Sequence, residues 1–214
     1  MSASRRPTIH VLAGVNGAGK SSIGGAAVRQ QGGEYFNPDE AARALGEKDP
    51  TLTQPDANSA AWHQGVRLLK RAIEARLEFT FETTLGGSTI TTLLMQAAER
   101  GMEVHVWYVG LSSQELHIER VRARVSQGGH DIPAHDIHRR YAHSRLNLIA
   151  LLPHLTTLHV YDNSADADPT AGRTPKPTPV LHMEHGRILG PPDLAPTPNW
   201  AKPIIAAALK LNQS

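Results

Sequence analysis

Near the amino end, Gly14-Val15-Asn16-Gly17-Ala18-Gly19-Lys20-Ser21 sets three glycines, a lysine and a hydroxyl at the spacing G-x-x-x-x-G-K-[ST]. These residue types at this spacing suit a polyphosphate. Glycines let a short loop curl until its backbone N–H groups converge on phosphate oxygens, and a helix starting at the loop's end adds the positive end of its dipole. Lys20 is placed to reach the β- and γ-phosphates, and the Ser21 hydroxyl to take a Mg²⁺ position. The expectation is therefore ATP with Mg²⁺, bound by Gly14, Asn16, Gly17, Ala18, Gly19, Lys20, Ser21 and Ser22, with Ser21 as the metal ligand. The context agrees: Thr8–Ala13 is apolar like a buried strand, and Ser21–Gln31 is competent to form a helix.

A loop of this kind fixes a site at the carboxyl ends of parallel strands, so carboxylates at other strand ends are the next candidates. Asp39 follows a short strand expected near Glu34–Phe36, and Pro38 fits the first position of a helix reaching Leu45. Glu82, Thr83 and Thr84 close a strand at Phe79–Thr83. Phosphoryl transfer to a hydroxyl needs a group to take its proton. Asp39 is the candidate base. Glu82, Thr83 and Thr84 are candidate acceptor contacts, with Mg²⁺ held through water as a second role for Glu82. The strand ending at Val109-Gly110-Leu111 carries no carboxylate, which argues against a motor-type ATPase with a separate Walker B aspartate. Arginines then crowd a glycine-bearing loop: Arg120, Arg122 and Arg124 before Gly128-Gly129, Arg139 and Arg140 after it. Arginine stabilises charge on a moving phosphoryl group with fixed geometry, so Arg124, Arg139 and Arg140 are read as lid residues, at least one of them touching phosphate. His130, His135, His138 and His143 share the stretch but lack acidic or thiol partners for a metal set. Asn163, in Asp162-Asn163-Ser164, is read as an adenine-side contact.

The elements that must position these groups alternate strand and helix, the pattern of an α/β fold with a parallel sheet. Trp62, Val66, Leu69, Ile73 and Leu77 mark a long amphipathic helix over Asp56–Arg76, with Trp62 and Trp107 expected in the core. Ser88 is expected to cap a helix that ends at Gly101, and Ser112 with Glu115 to form a capping box for the next one. Val104–Val109 and Leu158–Tyr161 read as strands, and Ala134–Leu152 as a helix. Residues 1–164 are read as a P-loop kinase-like domain. Residues 165–214 are read as a proline-rich extension on the same domain, with a hairpin turning at His185-Gly186 and a terminal helix from Ile204.

Composition narrows the classes. With 22 Lys and Arg against 20 Asp and Glu, the net charge of +2 gives no basic stripe, and 5% aromatics leave few base-stacking platforms, so nucleic-acid binding is not expected. Cysteine is absent, which removes disulfides and thiolate chemistry and fits a reducing cytoplasm. No run is long enough to span a bilayer.

In their order, the Walker A loop, Asn37-Pro38-Asp39, Phe81-Glu82-Thr83-Thr84, the Gly-Gly-His-x-Ile-Pro lid, the paired arginines and Tyr161-Asp162-Asn163-Ser164 resemble the zeta toxin family of P-loop kinases, in its small stand-alone bacterial branch. The resemblance covers Thr8–Ser164. It implies a five-stranded parallel sheet of order 2-3-1-4-5 and phosphorylation of the 3′-hydroxyl of UDP-N-acetylglucosamine by ATP and Mg²⁺. It also implies an antitoxin partner. Carried over, Lys20 and Ser21 grip phosphate and metal, Asp39 is the base, Glu82 and Thr83 contact substrate, and Arg124 with Arg139 or Arg140 stabilises charge. Two other functions share the scaffold: a nucleotide-dependent regulatory module with slow hydrolysis, and a polynucleotide-end kinase.

Overall fold

The computed structural model describes residues 6–21, 35–129, 131–165 and 176–213. The expected helix after the loop, with Ser22, falls on residues outside this description, as does His130.

A six-stranded sheet carries the fold, in the order β2-β1-β3-β4-β5-β6. β1 (Thr8–Ala13), β2 (Phe79–Thr83), β3 (Glu103–Gly110) and β4 (Thr157–Asp162) are parallel neighbours. β5 (Thr178–Glu184) and β6 (Arg187–Gly190) extend the β4 edge antiparallel. The fold is an α/β P-loop NTPase-like fold. The five parallel strands of the sequence reading become four parallel and two antiparallel. The expected strand near Phe36 shrinks to one parallel bridge, Phe36 to Phe81, because Pro38 begins a helix two residues later and has no N–H to donate to a ladder. The hairpin turns where expected: His185 at φ 46° and Gly186 at φ 77° are both left-handed, the backbone that a two-residue hairpin loop requires.

Six helices complete the described elements: α1 (Pro38–Lys48), α2 (Gln54–Ala75), α3 (Ser88–Glu99), α4 (Gln114–Val125), α5 (Ala134–Leu151) and α6 (Lys202–Asn212). Ile9, Val11, Val106, Leu158 and Leu181 face a single aliphatic core with Leu69, Leu94, Leu148 and Ile204 of the helices. Apolar residues on alternate positions of adjacent strands make that face continuous. The segment from 178 to 212 contributes Leu181, Met183, Trp200 and Ile204 to it.

Three local expectations change. Ser113, not Ser112, caps α4, its Oγ accepting the Leu116 N–H at 3.2 Å. Gly87 is the N-cap residue of α3 and Ser88 its first helical position. Trp62 is 43% exposed, because the buried stripe of α2 runs through Ala57, Ala61, Gly65, Leu69 and Ile73 and Trp62 lies to one side of it. No helix among the described residues is long and apolar enough to cross a membrane.

Candidate functional site

The phosphate loop leaves β1 through three residues in backbone conformations that favour glycine: Gly14 at φ 139°, Gly17 at φ 82° and Gly19 at φ 92°. Space matters as much as rotation. A Cβ on Gly14 would stand 2.2 Å from the Val109 carbonyl oxygen, and one on Gly17 2.7 Å from that of His117. The curl therefore tolerates no side chain at either place, as a backbone cradle for phosphate requires. Lys20 is 6% exposed. Its Nζ donates to the Val15 carbonyl at 3.4 Å and lies 3.4 Å from Glu82 Oε1. Ser21 Oγ donates to Glu82 Oε2 at 2.8 Å. Both carboxylate oxygens of Glu82 thus face the loop. A serine hydroxyl beside a carboxylate is a set of few, hard oxygen donors, which fits Mg²⁺.

Three further side chains hold the loop. His117 on α4 is 1% exposed, and its Nδ1 lies 2.8 Å from the Asn16 carbonyl oxygen. A carbonyl only accepts, so Nδ1 carries the proton. Burial drives this imidazole's pKa down to about 4, so the ring is neutral across physiological pH. The sequence reading missed it; its spacing of four from Val121 on the buried side of α4 was the available signal. Asn163 is 2% exposed and its Nδ2 donates to the Ala18 carbonyl at 2.9 Å. It supports the loop from within. Arg140 on α5 donates from Nη1 to Asn16 Oδ1 at 2.8 Å, and its stem crosses Gly86, where a Cβ would come within 2.7 Å of Arg140 Cγ.

Beside the loop lies a pocket of about 190 Å³, lined among others by Lys20, Asp39, Glu82, Thr83, Thr84 and Arg140. Asp39 gets there because Asn37 caps α1: its Oδ1 accepts the Asp39 N–H at 2.9 Å, which sets the aspartate in the first helical turn. Asp39 is 38% exposed and lies 3.6 Å from Arg124 Nη1. Thr83 and Thr84 accept the N–H groups of Leu85 and Gly86 at 3.1 and 3.3 Å, which turns the chain at the exit of β2 and leaves their hydroxyl hydrogens able to donate. The arginines separate. Arg140 lines the pocket. Arg139 is 60% exposed and pairs with Asp136 at 2.6 Å, so it does not join the site as expected. Arg120 reaches the Ala165 carbonyl at 3.2 Å.

A family model described as AAA domain matches residues 9–148, which takes in the loop, Asp39, Glu82 and the arginines of α4 and α5. The chain belongs to this AAA domain family. A protein of Haemophilus influenzae given as uncharacterized is 32% identical over 129 residues, 60% of this chain and 88% of that one. Among solved structures, the AvrRxo1-ORF1:-ORF2 complex aligns with a TM-score of 0.67 at 16% identity, over 96% of this chain and 71% of that one. Its form with ATP gives 0.66 at 15% identity, over 95% of this chain and 64% of that one. The PezAT toxin-antitoxin system of Streptococcus pneumoniae gives 0.55 at 17% identity, over 81% and 75%. At these identities the likeness is one of fold, the α/β P-loop NTPase-like sheet described above.

Proposed function

We propose that the protein is a phosphotransferase that uses ATP and Mg²⁺ to phosphorylate a hydroxyl of a small molecule, with UDP-N-acetylglucosamine as the lead acceptor. The observation that carries this reading is that Lys20, Glu82 and Asp39 open on the same pocket. Lys20 and the loop amides hold the phosphates. Ser21 and Glu82 would hold Mg²⁺, which supplies charge neutralisation at the phosphates when bound. The acceptor hydroxyl oxygen attacks the γ-phosphorus, its proton passes to Asp39, and ADP leaves. Arg124, beside Asp39, and Arg140, at the pocket wall, balance the charge that moves between them. Thr83 and Thr84 orient the acceptor by hydrogen bonds.

UDP-N-acetylglucosamine comes from the zeta toxin resemblance, as does an antitoxin partner; a cytoplasmic setting is proposed from the absence of cysteine. A toxin-antitoxin system among the fold relatives supports testing for such a partner. The decisive measurement is ADP release with and without acceptor in wild type and Asp39→Asn. Loss of a general base lowers kcat by about 10²–10⁴-fold, with ATP affinity little changed. Full transfer activity in the variant would remove Asp39 from the role.

A further inference from the structure

One wall of the pocket carries a side chain that phosphate chemistry does not use. Trp62 is 43% exposed and lines the pocket with Asn58 and Val66. The three recur every four residues along α2 and so form one ridge. His63 meets the Trp62 ring edge-on, centroids 4.8 Å apart, which steadies the indole. Gly65 interrupts the wall beside it: a Cβ there would stand 2.7 Å from Phe36 Cε1. The Phe36 ring therefore occupies the place a side chain would take and gives the pocket a flat apolar floor. Asn58 Oδ1 accepts from Gln54 Nε2 at 2.9 Å, which makes Nδ2 its donor end. Thr89 and Ile90 of α3 line the same pocket.

Charge is distributed unevenly. The charged lining residues are Lys20, Asp39, Glu82 and Arg140, whereas Asn58, Trp62, Val66, Thr89 and Ile90 carry no charge. A charged group pressed among the latter would lose hydration without a counterion. Size sets a further bound. At about 190 Å³ the pocket falls below the roughly 300–1,000 Å³ that encloses a drug-sized ligand, so it seats one ring of the acceptor rather than enclosing the whole molecule. An exposed indole offers such a ring a large, rigid contact at small entropic cost.

We infer that Trp62 is the stacking platform of the acceptor subsite: the acceptor lays an uncharged, flat-faced ring on the indole, takes a hydrogen bond from Asn58 at its edge, and turns its hydroxyl toward Asp39. This rests on the pocket being the acceptor site. A pyranose ring and a heteroaromatic base share the required chemistry, and the test separates them.

Three probes suffice: N-acetylglucosamine for the saccharide ring, uridine for the heteroaromatic ring, and glycerol as an acyclic hydroxyl donor. Each is titrated against wild type and Trp62→Phe, and the readout is the emission that the substitution removes. Saturable quenching by one ring probe, absent with glycerol, is expected and names the ring. No quenching by either, or equal quenching by glycerol, overturns the platform. Trp62→Ala is then tested for acceptor-dependent ADP release. Its acceptor KM rises about tenfold, the range of a lost aromatic stack, and Trp62→Tyr recovers part of it. An unchanged acceptor KM in an active enzyme overturns the platform and leaves the proposed function intact. Quenching without phosphoryl transfer to any acceptor does the reverse.

Discussion

On the phosphate side, the anchors are fixed by partners inside the fold: Lys20 and Ser21 on Glu82, Asn16 on His117 and Arg140, Ala18 on Asn163. On the acceptor side, the indole of Trp62 is 43% exposed and Asp39 and Arg124 are each more than a third exposed. One half of the pocket is preset by backbone curvature and buried hydrogen bonds. The other is an open wall of side chains from α1, α2, β2 and α3. In the proposed function, the generic task of gripping phosphate falls where geometry is rigid, and the selective task where side chains can vary without disturbing the loop.

The contrast breaks most visibly at Lys20→Ala. Removing the cation strips a charge-assisted contact to phosphate worth about 1.5–3 kcal/mol, so ATP affinity falls by 10-fold to over 100-fold in calorimetry whatever the acceptor. Binding that survives undiminished would dissolve the distinction between the halves. Arg140 belongs to both, through Asn16 and the pocket wall. Arg140→Ala is expected to lower kcat by about 10²–10³-fold, as loss of an electrostatic stabiliser does, whereas Arg139→Ala stays within about twofold of wild type because its surface pair with Asp136 contributes little. Equal effects would mean that the helix, not the individual guanidinium, is what matters.

A subtler probe is pH. The folded-state pKa of His117 is held at about 4 by burial, against an ordinary value near 6.5. The unfolded chain therefore binds the extra proton first. Stability contributed by the neutral, buried ring is complete above about pH 6.5 and is lost progressively as pH falls toward 4. Between pH 7 and 5 this amounts to about 2 kcal/mol. His117→Gln flattens that component of a denaturation series; a wild-type slope retained in the variant would assign it to other groups.

How much of this could be read from the chain differs between the two halves for the same physical reason. The loop was legible because its motif is local: eight consecutive residues and their glycines encode the curl. Asp39 was legible through Asn37-Pro38, a helix start written in three residues. His117, Asn163 and the division of labour between Arg139 and Arg140 were not, because each depends on which face of a helix or strand end meets a loop more than 100 residues away. Trp62 misled for a related reason. Helical periodicity marks an apolar position without saying whether it faces the core or the rim of a pocket. The hairpin of β5 and β6 was legible from its turn at His185-Gly186, whereas its antiparallel addition to the β4 edge was not, because that pairing is set by tertiary packing across a proline-rich stretch.

The carboxyl-terminal segment has a consequence for how the protein can be cut. Trp200 lies against Gly110, where a Cβ would come within 2.3 Å of its ring, and its Nε1 donates to Asp162 Oδ1 at 3.1 Å, one residue before the asparagine that steadies Ala18. A fragment trimmed at the end of the family match, residue 148, would lose β4 itself, the Asn163 amide that holds Ala18, and that indole. Shortening the chain from its far terminus would be felt at its near one, so a minimal nucleotide-binding fragment has to retain the sequence through α6.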